Sequence, residues 1–327
     1  VETALTERKP LNIIVTGAAV GAGPSVVRQL VRAGHKVAGI VGTTAAGRLM
    51  RSSGALPVFA DEARASEMAA LARTHKADAL IDLGSGEANQ TLVNLGWDAD
   101  ALPARAQAIA EAVRTAGVGV LVQVSHTFVY GDHGGHGDDS HGHGHHHHHL
   151  LDEATKPVTG GHPLLKAVVK AEKAALGVGG VVLRAGYGYG AYYSALRQAA
   201  AALKRGAPLP AGHGVTNYLY AEDLAEAIRR AVEAKPAGEI FNVSDGSPIT
   251  SAQFADAFAA ELGVNTPAKF PPLLSGLLVG KPLADLLALS APVSIDKIRQ
   301  QLGFVPSYSL SAGFADALLT WRAAEAV

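Results

Sequence analysis

Cysteine is missing from all 327 residues, which excludes disulfides, thiolate-ligated zinc and a thiol nucleophile. An excess of one charge is missing too. Against 28 Lys and Arg stand 29 Asp and Glu, a formal net charge of −1, so nothing supports a nucleic-acid-binding or polybasic membrane surface. No apolar run reaches the roughly 18 residues of a membrane-spanning helix. Val1 to Pro10 is polar and lacks a secretory apolar core, so a cytoplasmic location is expected. Internal repeats at the roughly 20–50-residue periods of solenoids are absent. Hydrophobic residues nevertheless make up 48% of the chain, which argues against disorder. The length suits two domains, or one large α/β unit with a lobe. Histidine is the residue in surplus, with 14.

The hydrophobic pattern alternates. The run Leu11–Thr16 is bounded by Gly17, and a helical stripe follows at Val27, Leu30 and Val31. Pro24 falls just inside that helix, where its missing N–H costs nothing. Short apolar runs at His35–Val41, Leu56–Ala60, Ala79–Leu83, Val118–Val124 and Gly180–Leu183 predict strands. Helices are expected between them at Ser66–Thr74, Ala101–Ala116 and Leu164–Leu176. This order predicts βαβ units and an α/β, doubly wound parallel sheet with right-handed crossovers. Beyond Tyr187 the pattern loosens. Ala221–Ala234 reads as a helix with Glu222 and Asp223 in its first turn, and Glu239–Val243 as a strand. Ser251–Leu262 reads as an amphipathic helix with Ser251 as its N-cap. Pro271–Leu289 is leucine-rich, either a buried helical piece or a partner-facing surface.

Thr16-Gly17-Ala18-Ala19-Val20-Gly21-Ala22-Gly23 lies between the first strand and the first helix, the context that gives a glycine-rich turn its meaning. Gly17 permits the tight turn, Gly21 lets the backbone approach a pyrophosphate, and Gly23 permits close helix–strand packing. An NAD or NADP cofactor is therefore expected, held by Thr16, Gly17, Val20, Gly21, Ala22 and Gly23. The second strand ends in Ile40-Val41-Gly42-Thr43-Thr44, with no acid to accept from a ribose 2′-hydroxyl. Arg48 and Arg51 follow, and either meet a 2′-phosphate or are solvated helix residues. Asp61, after the third strand, either accepts from the adenine amino group or caps the next helix.

With these residues the chain resembles the short-chain dehydrogenase/reductase superfamily, most nearly its extended, NAD-dependent epimerase/dehydratase branch, over almost its whole length. Val124-Ser125-His126-Thr127-Phe128-Val129-Tyr130-Gly131 is similar to that branch's Ser-Ser-x-x-Val-Tyr-Gly, and Asp152-Glu153 to its following acidic turn. Leu183-Arg184-Ala185-Gly186-Tyr187-Gly188-Tyr189-Gly190 is similar to its Leu-Arg-Pro-x-x-x-Tyr-Gly. Asn217-Tyr218-Leu219-Tyr220-Ala221-Glu222-Asp223-Leu224-Ala225, Phe241-Asn242-Val243 and Leu302-Gly303-Phe304-x-Pro306 match later markers. The resemblance implies a Rossmann domain of residues 1–186 and 215–245 and a smaller C-terminal substrate lobe of 187–214 and 246–327. It also implies nicotinamide chemistry on a small-molecule substrate, and a homodimer through helices 101–116 and 164–176.

The departures from that branch bear on catalysis. The glycine spacing is that of the compact branch, with Val20 at the extended branch's middle glycine. Where the family has Tyr-x-x-x-Lys on a helix, the best lysine here, Lys166, is preceded by His162. Where it has Ser or Thr five residues before the Val-Tyr-Gly glycine, this chain has His126, flanked by Ser125 and Thr127. The resemblance thus implies His162, Lys166, His126, Ser125 and Thr127 as catalytic candidates, with Lys166 also on the nicotinamide ribose. Two functions stay open. One is an NAD(P)-dependent oxidoreductase or epimerase/dehydratase-like enzyme with a His-x-x-x-Lys site and His162 as proton carrier. The other is a nucleotide-binding pseudoenzyme or a metal-binding protein. The family's diphosphate-contacting Asn is replaced by Tyr187, which weakens a sugar-nucleotide substrate, and Tyr187, Tyr189, Tyr192 and Tyr193 either line an aromatic pocket or pack the lobe.

Nine histidines lie in His133–His149, HGGHGDDSHGHGHHHHH, within a loop of residues 132–149. The segment has no apolar residue and is expected in solvent. His133, His136, His141, His143, His145, His147 and His149 are candidate ligands for Zn or Ni. Three readings compete: adventitious binding by a flexible insertion, metal storage or sensing, and a metal shared with His126 and His162. No His-Glu-x-x-His spacing supports a defined catalytic metal.

Overall fold

The structure, a computed structural model, describes residues 9–84, 90–91, 94–95, 98–133, 150–158, 162–209, 214–266, 284–286 and 288–325. The first apolar run forms β1 (Asn12–Thr16), and α1 (Gly23–Arg32) follows with Pro24 in its first turn. The alternation continues through β2 (Lys36–Ile40), α2 (Thr44–Ser52), β3 (Leu56–Val58), α3 (Ala65–Thr74), β4 (Ala79–Asp82), α4 (Ala101–Ala116) and β5 (Val120–His126). A 3₁₀ turn at Thr127–Tyr130 leaves β5. Next come α5 (Pro163–Leu176), β6 (Val181–Ala185), α6 (Ser194–Lys204), α7 (Ala221–Ala234), β7 (Ile240–Val243) and α8 (Ser251–Leu262). The described chain closes with α9 (Asp296–Leu302) and α10 (Leu310–Glu325).

The seven strands form one sheet in the order β7-β6-β5-β4-β1-β2-β3, parallel at every pairing. Both faces are covered, so the strands are apolar over most of their length, with polar residues such as Ser125, Arg184 and Asn242 buried among them. Ile13 and Val15 of β1 pack with α1 and α7 on one side. Ile14 packs on the other side with Met68 of α3 and Ile109 and Val113 of α4. The order reverses between β1 and β4, which opens a cleft at the carboxyl edge. The expected sheet and its doubly wound class are thus present. A smaller lobe is built from Tyr189, Tyr218, Tyr220, Phe258 and Phe314 with parts of α6, α8 and α10. Ile298 of α9 and nearby Phe304 pack in the sheet's own core.

Thr250 rather than Ser251 caps α8. Its hydroxyl accepts from the Gln253 amide at 3.2 Å, and the Gln253 side chain accepts from the Thr250 amide at 2.8 Å. Most of Pro271–Leu289 lies outside the described residues.

One buried network ties the second half of the sheet together. Arg184 on β6 pairs with Glu172 on α5 through two bonds of 2.9 and 2.7 Å, each side chain under 4% exposed. Ser125 on β5 donates to the same carboxylate at 2.6 Å. The Arg184 guanidinium lies 4.9 Å from the ring centre of Tyr130, whose hydroxyl donates to Asn242 on β7 at 2.7 Å. Removing one partner of such a buried pair leaves the other charge stranded, at a cost of about 3–5 kcal/mol. Arg184→Met should therefore lower unfolding free energy by about that amount in urea titration. Loss of less than about 1 kcal/mol would show that the pair is dispensable.

Candidate active site

The glycine-rich turn has the backbone its sequence called for. Gly17 and Gly21 adopt φ of +61° and +55°, values that side-chain-bearing residues rarely take. A Cβ on Gly23 would stand 2.2 Å from the Gly17 carbonyl oxygen, so the start of α1 lies on the turn as only glycine allows. Ala22 is the N-cap of α1, with helical backbone and no side-chain bond to spare its amides. The lobe reaches this turn. The Gly21 amide donates to the Tyr192 carbonyl at 3.1 Å, and Arg28 bonds the Tyr192 hydroxyl and Glu222.

Beside the turn lies a cavity of about 400 Å³ lined by residues including Gly17, Val20, Thr43, Asp61, Glu62 and Arg105. Asp61 accepts from the Ala63 amide at 3.0 Å and pairs with Arg64. It does not cap α3, whose N-cap is Arg64. Arg48 and Arg51 are exposed on α2 and do not line the cavity. The floor contains a residue that sequence reading missed. Arg105, on α4, donates to Glu62 at 2.7 Å, to Asp82 at 2.7 Å and to Thr16 at 3.0 Å. Thr16 in turn donates to Asp82 at 2.9 Å, so the last residue of β1 is held to β4. Burial pushes the Glu62 carboxyl up, against the opposing pull of Arg105. The signal was available: Arg105 interrupts the buried apolar stripe of Leu102, Ala106 and Ile109.

At the end of β5 His126 is buried, stacked on Phe128 at 4.2 Å and edge-on to Tyr187 at 4.4 Å. Its Nδ1 accepts from the Phe128 amide at 3.1 Å and so caps the 3₁₀ turn. Burial pushes its pKa down to about 3, and the ring is neutral with its proton assigned to Nε2. Ser125, next to it, faces the Glu172 network instead, because successive strand residues face opposite sides. Thr127 is fully buried, and its hydroxyl has no hydrogen-bond partner among the described residues. Tyr187 donates to the Leu286 carbonyl at 3.2 Å, and burial raises its pKa.

His162 is the N-cap of α5, its Nδ1 accepting from the Leu164 amide at 3.2 Å. Lys166 is exposed, on one helical stripe with Lys170 and Lys173. The α5 residues that cluster with Phe128 are Leu164, Leu165, Ala167, Val168, Val169 and Ala171. His133 holds Nε2 at 3.0 Å from the Tyr130 carbonyl. His136, His141, His143, His145, His147 and His149 lie outside the described residues. Among the described residues no group of three or more His, Asp or Glu is placed to hold a metal.

A family model for the NAD dependent epimerase/dehydratase family matches residues 13–244. The chain belongs to that family. The glycine turn and the adjoining cavity fit a dinucleotide of the kind the family is named for. A dTDP-glucose 4,6-dehydratase from Bacillus anthracis, solved with NAD, superposes with a TM-score of 0.76 at 17% identity, covering 97% of this chain and 98% of that one. A UDP-glucose-4-epimerase from Stenotrophomonas maltophila gives 0.73 at 20% identity, covering 97% and 99%. A Streptomyces protein described as a 3-diazoavenalumate denitrifying reductase is 31% identical over 215 residues, 61% of this chain. That match spans 65% of the reductase's own length.

The state of His126 has a consequence in acid. Unfolded, the ring protonates near its ordinary value of about 6.5. Folded, it stays neutral down to about 3. Its share of stability is therefore complete above about 6.5 and is lost as pH falls through that value toward 3. His126→Gln should remove about one proton from the uptake on unfolding at pH near 5, read from the pH dependence of urea midpoints. An unchanged slope would mean that the ring is already charged in the fold.

Proposed function

We propose that this chain is an NAD(P)H-dependent reductase that passes a hydride to a small-molecule acceptor without drawing a proton from α5. The observation that carries this reading is that main-chain amides occupy Nδ1 of both candidate histidines, His126 through Phe128 and His162 through Leu164. An imidazole so held carries its proton on Nε2 and donates from there. Cycling a proton through the ring would protonate Nδ1 and cost the cap. Such a group polarises an acceptor atom better than it shuttles protons. The competing His162–Lys166 dyad rests on spacing, and it needs a lysine that stands on the exposed stripe of α5.

A diazo acceptor suits these constraints, and the Streptomyces relative is described as a denitrifying reductase of a diazo compound. Bound nicotinamide would supply the hydride. With a diazonium R–N₂⁺ the hydride pair forms a C–H bond, the C–N pair departs with nitrogen as N₂, and charge balances with no proton consumed. His126, Phe128 and Tyr187 form a packed aromatic cluster at the end of β5.

The test follows nicotinamide absorbance with arenediazonium carboxylates, ketones and nucleotide sugars as acceptors. Turnover with N₂ release is expected on the diazonium compounds, with deuterium from 4-²H-labelled cofactor found on carbon. Lys166→Ala and His162→Asn should stay within about threefold of wild-type kcat/KM, since Asn also caps a helix. His126→Ala should lose about a hundredfold, the loss expected of a missing donor at the reacting group. A hundredfold loss in folded Lys166→Ala would restore the dyad and overturn this reading.

A further inference from the structure

The amides of the glycine turn are partly spent within the chain. The Gly23 amide donates to the Val20 carbonyl at 2.8 Å, and Pro24, in the first turn of α1, has no N–H. The Gly21 amide donates at 3.1 Å to the carbonyl of Tyr192, which lies in the segment leading into α6. Of the run Gly21–Pro24, only the Ala22 amide has no main-chain partner among the described residues. A pyrophosphate at a helix N-terminus is bound by amides of this kind. The segment before α6 therefore holds a donor that such a ligand needs.

The side chain of Tyr192 keeps its carbonyl in place. Arg28 on α1 donates through Nη1 to the Tyr192 hydroxyl at 3.3 Å, and its guanidinium carbon lies 5.3 Å from the ring centre. Nη2 of Arg28 donates to Glu222 on α7 at 2.8 Å and to Ser25 at 3.1 Å, which fixes the guanidinium between two helices. On the other side of Tyr192, the Ala191 carbonyl accepts from Nε1 of Trp321 on α10 at 2.7 Å. The segment is thus fastened both to the glycine turn and to the lobe. The fastening can open. Arg28 and Glu222 are 26% and 21% exposed, so water reaches the pair. A phosphate oxygen is also a stronger acceptor than a neutral carbonyl, by roughly twofold in bond strength, so the Gly21 amide gains when one replaces the other.

We propose that Tyr192 is an autoinhibitory latch: its carbonyl occupies the Gly21 amide that a bound pyrophosphate would take, Arg28 and Glu222 keep it there, and a ligand on the glycine turn displaces it and releases the segment at residues 190–193. The inference rests on the dinucleotide reading of the turn. Tyr192 acts on affinity and on the position of this segment, and the sign of its effect is diagnostic. Removing a residue that holds a ligand weakens binding, whereas removing a latch strengthens it. By linkage, an acceptor that binds the lobe with the segment released tightens the cofactor, and the cofactor tightens that acceptor by the same factor.

The test is a calorimetric titration of the full chain with ADP-ribose, and with adenosine, which has no pyrophosphate. Tyr192→Ala should bind ADP-ribose about tenfold more tightly than wild type, the worth of one hydrogen bond and one cation–π contact, and adenosine with unchanged affinity. Tyr192→Phe keeps the ring beside Arg28 and loses the hydroxyl. It should gain about threefold, and it decides the matter if Tyr192→Ala does not fold. In Trp97→Phe, where Trp321 is the only tryptophan, ADP-ribose should shift the Trp321 emission as the Ala191 carbonyl leaves the indole. Failure of wild type and both variants to bind ADP-ribose overturns the dinucleotide reading of the turn. Equal or weaker binding in both variants overturns the latch alone, as does a Trp321 emission that bound ADP-ribose leaves unmoved.

Discussion

Arg105 carries its charge into a place with almost no water, and Asp82 and Glu62 hold it there. Without it, two carboxylates would sit close together at the carboxyl edge of the sheet, and burial would force one of them to protonate. With it, the end of β1, the end of β4, the segment after β3 and the middle of α4 meet around one guanidinium. The glycine turn is seated on that meeting point through Thr16. A cavity of about 400 Å³ adjoins it. A second arginine, Arg184, does the same at the other end of the sheet, joining β5, β6 and α5 through Glu172. β5, which ends in His126, lies between these two fixed points.

The chemistry of the cleft follows from what that framework leaves available. His126 and His162, which residue count sets against the family's hydroxyl groups, each engage Nδ1 in starting a helical turn. The α5 face clustered with Phe128 is leucine, valine and alanine, and its lysines are outside. On the reading proposed above, such a site polarises an acceptor rather than moving protons, and the acceptors that suit it are those for which hydride addition expels a leaving group.

Much of the fold was legible because the sheet is buried on both faces. Its strands are rich in apolar residues, and β1 to β7 each fall on or within a residue or two of an expected run. The expected bounds of α4, α7 and α8 coincide with the helices found. α2, α6, α9 and α10 went unread: alanine dilutes the hydrophobic period of α6, SALRQAAAALK, and α9, DKIRQQL, is only 7 residues long. The glycine turn was legible because backbone constraint is written in residue type. Counting residues singled out His126, His162 and Lys166, but it could not show the helix caps that engage the two rings or the stripe that carries the lysine outward. Ser125 was one residue from the right face. Arg105 could have been noticed as a charge inside an apolar stripe, but its partners come from 43 and 23 residues away, a convergence only the folded sheet creates.

The claim that these imidazoles hold main chain rather than carry protons is open to direct observation. Long-range ¹⁵N–¹H correlation spectra of the ¹⁵N-histidine-labelled chain, with the ring of His126 assigned by its disappearance in His126→Gln, report the tautomer and charge of that residue between pH 5 and 9. The expected spectrum is a neutral ring protonated at Nε2 with unprotonated Nδ1, unchanged across the range. A ring that titrates near its ordinary value of about 6.5, or that carries its proton on Nδ1, would contradict it.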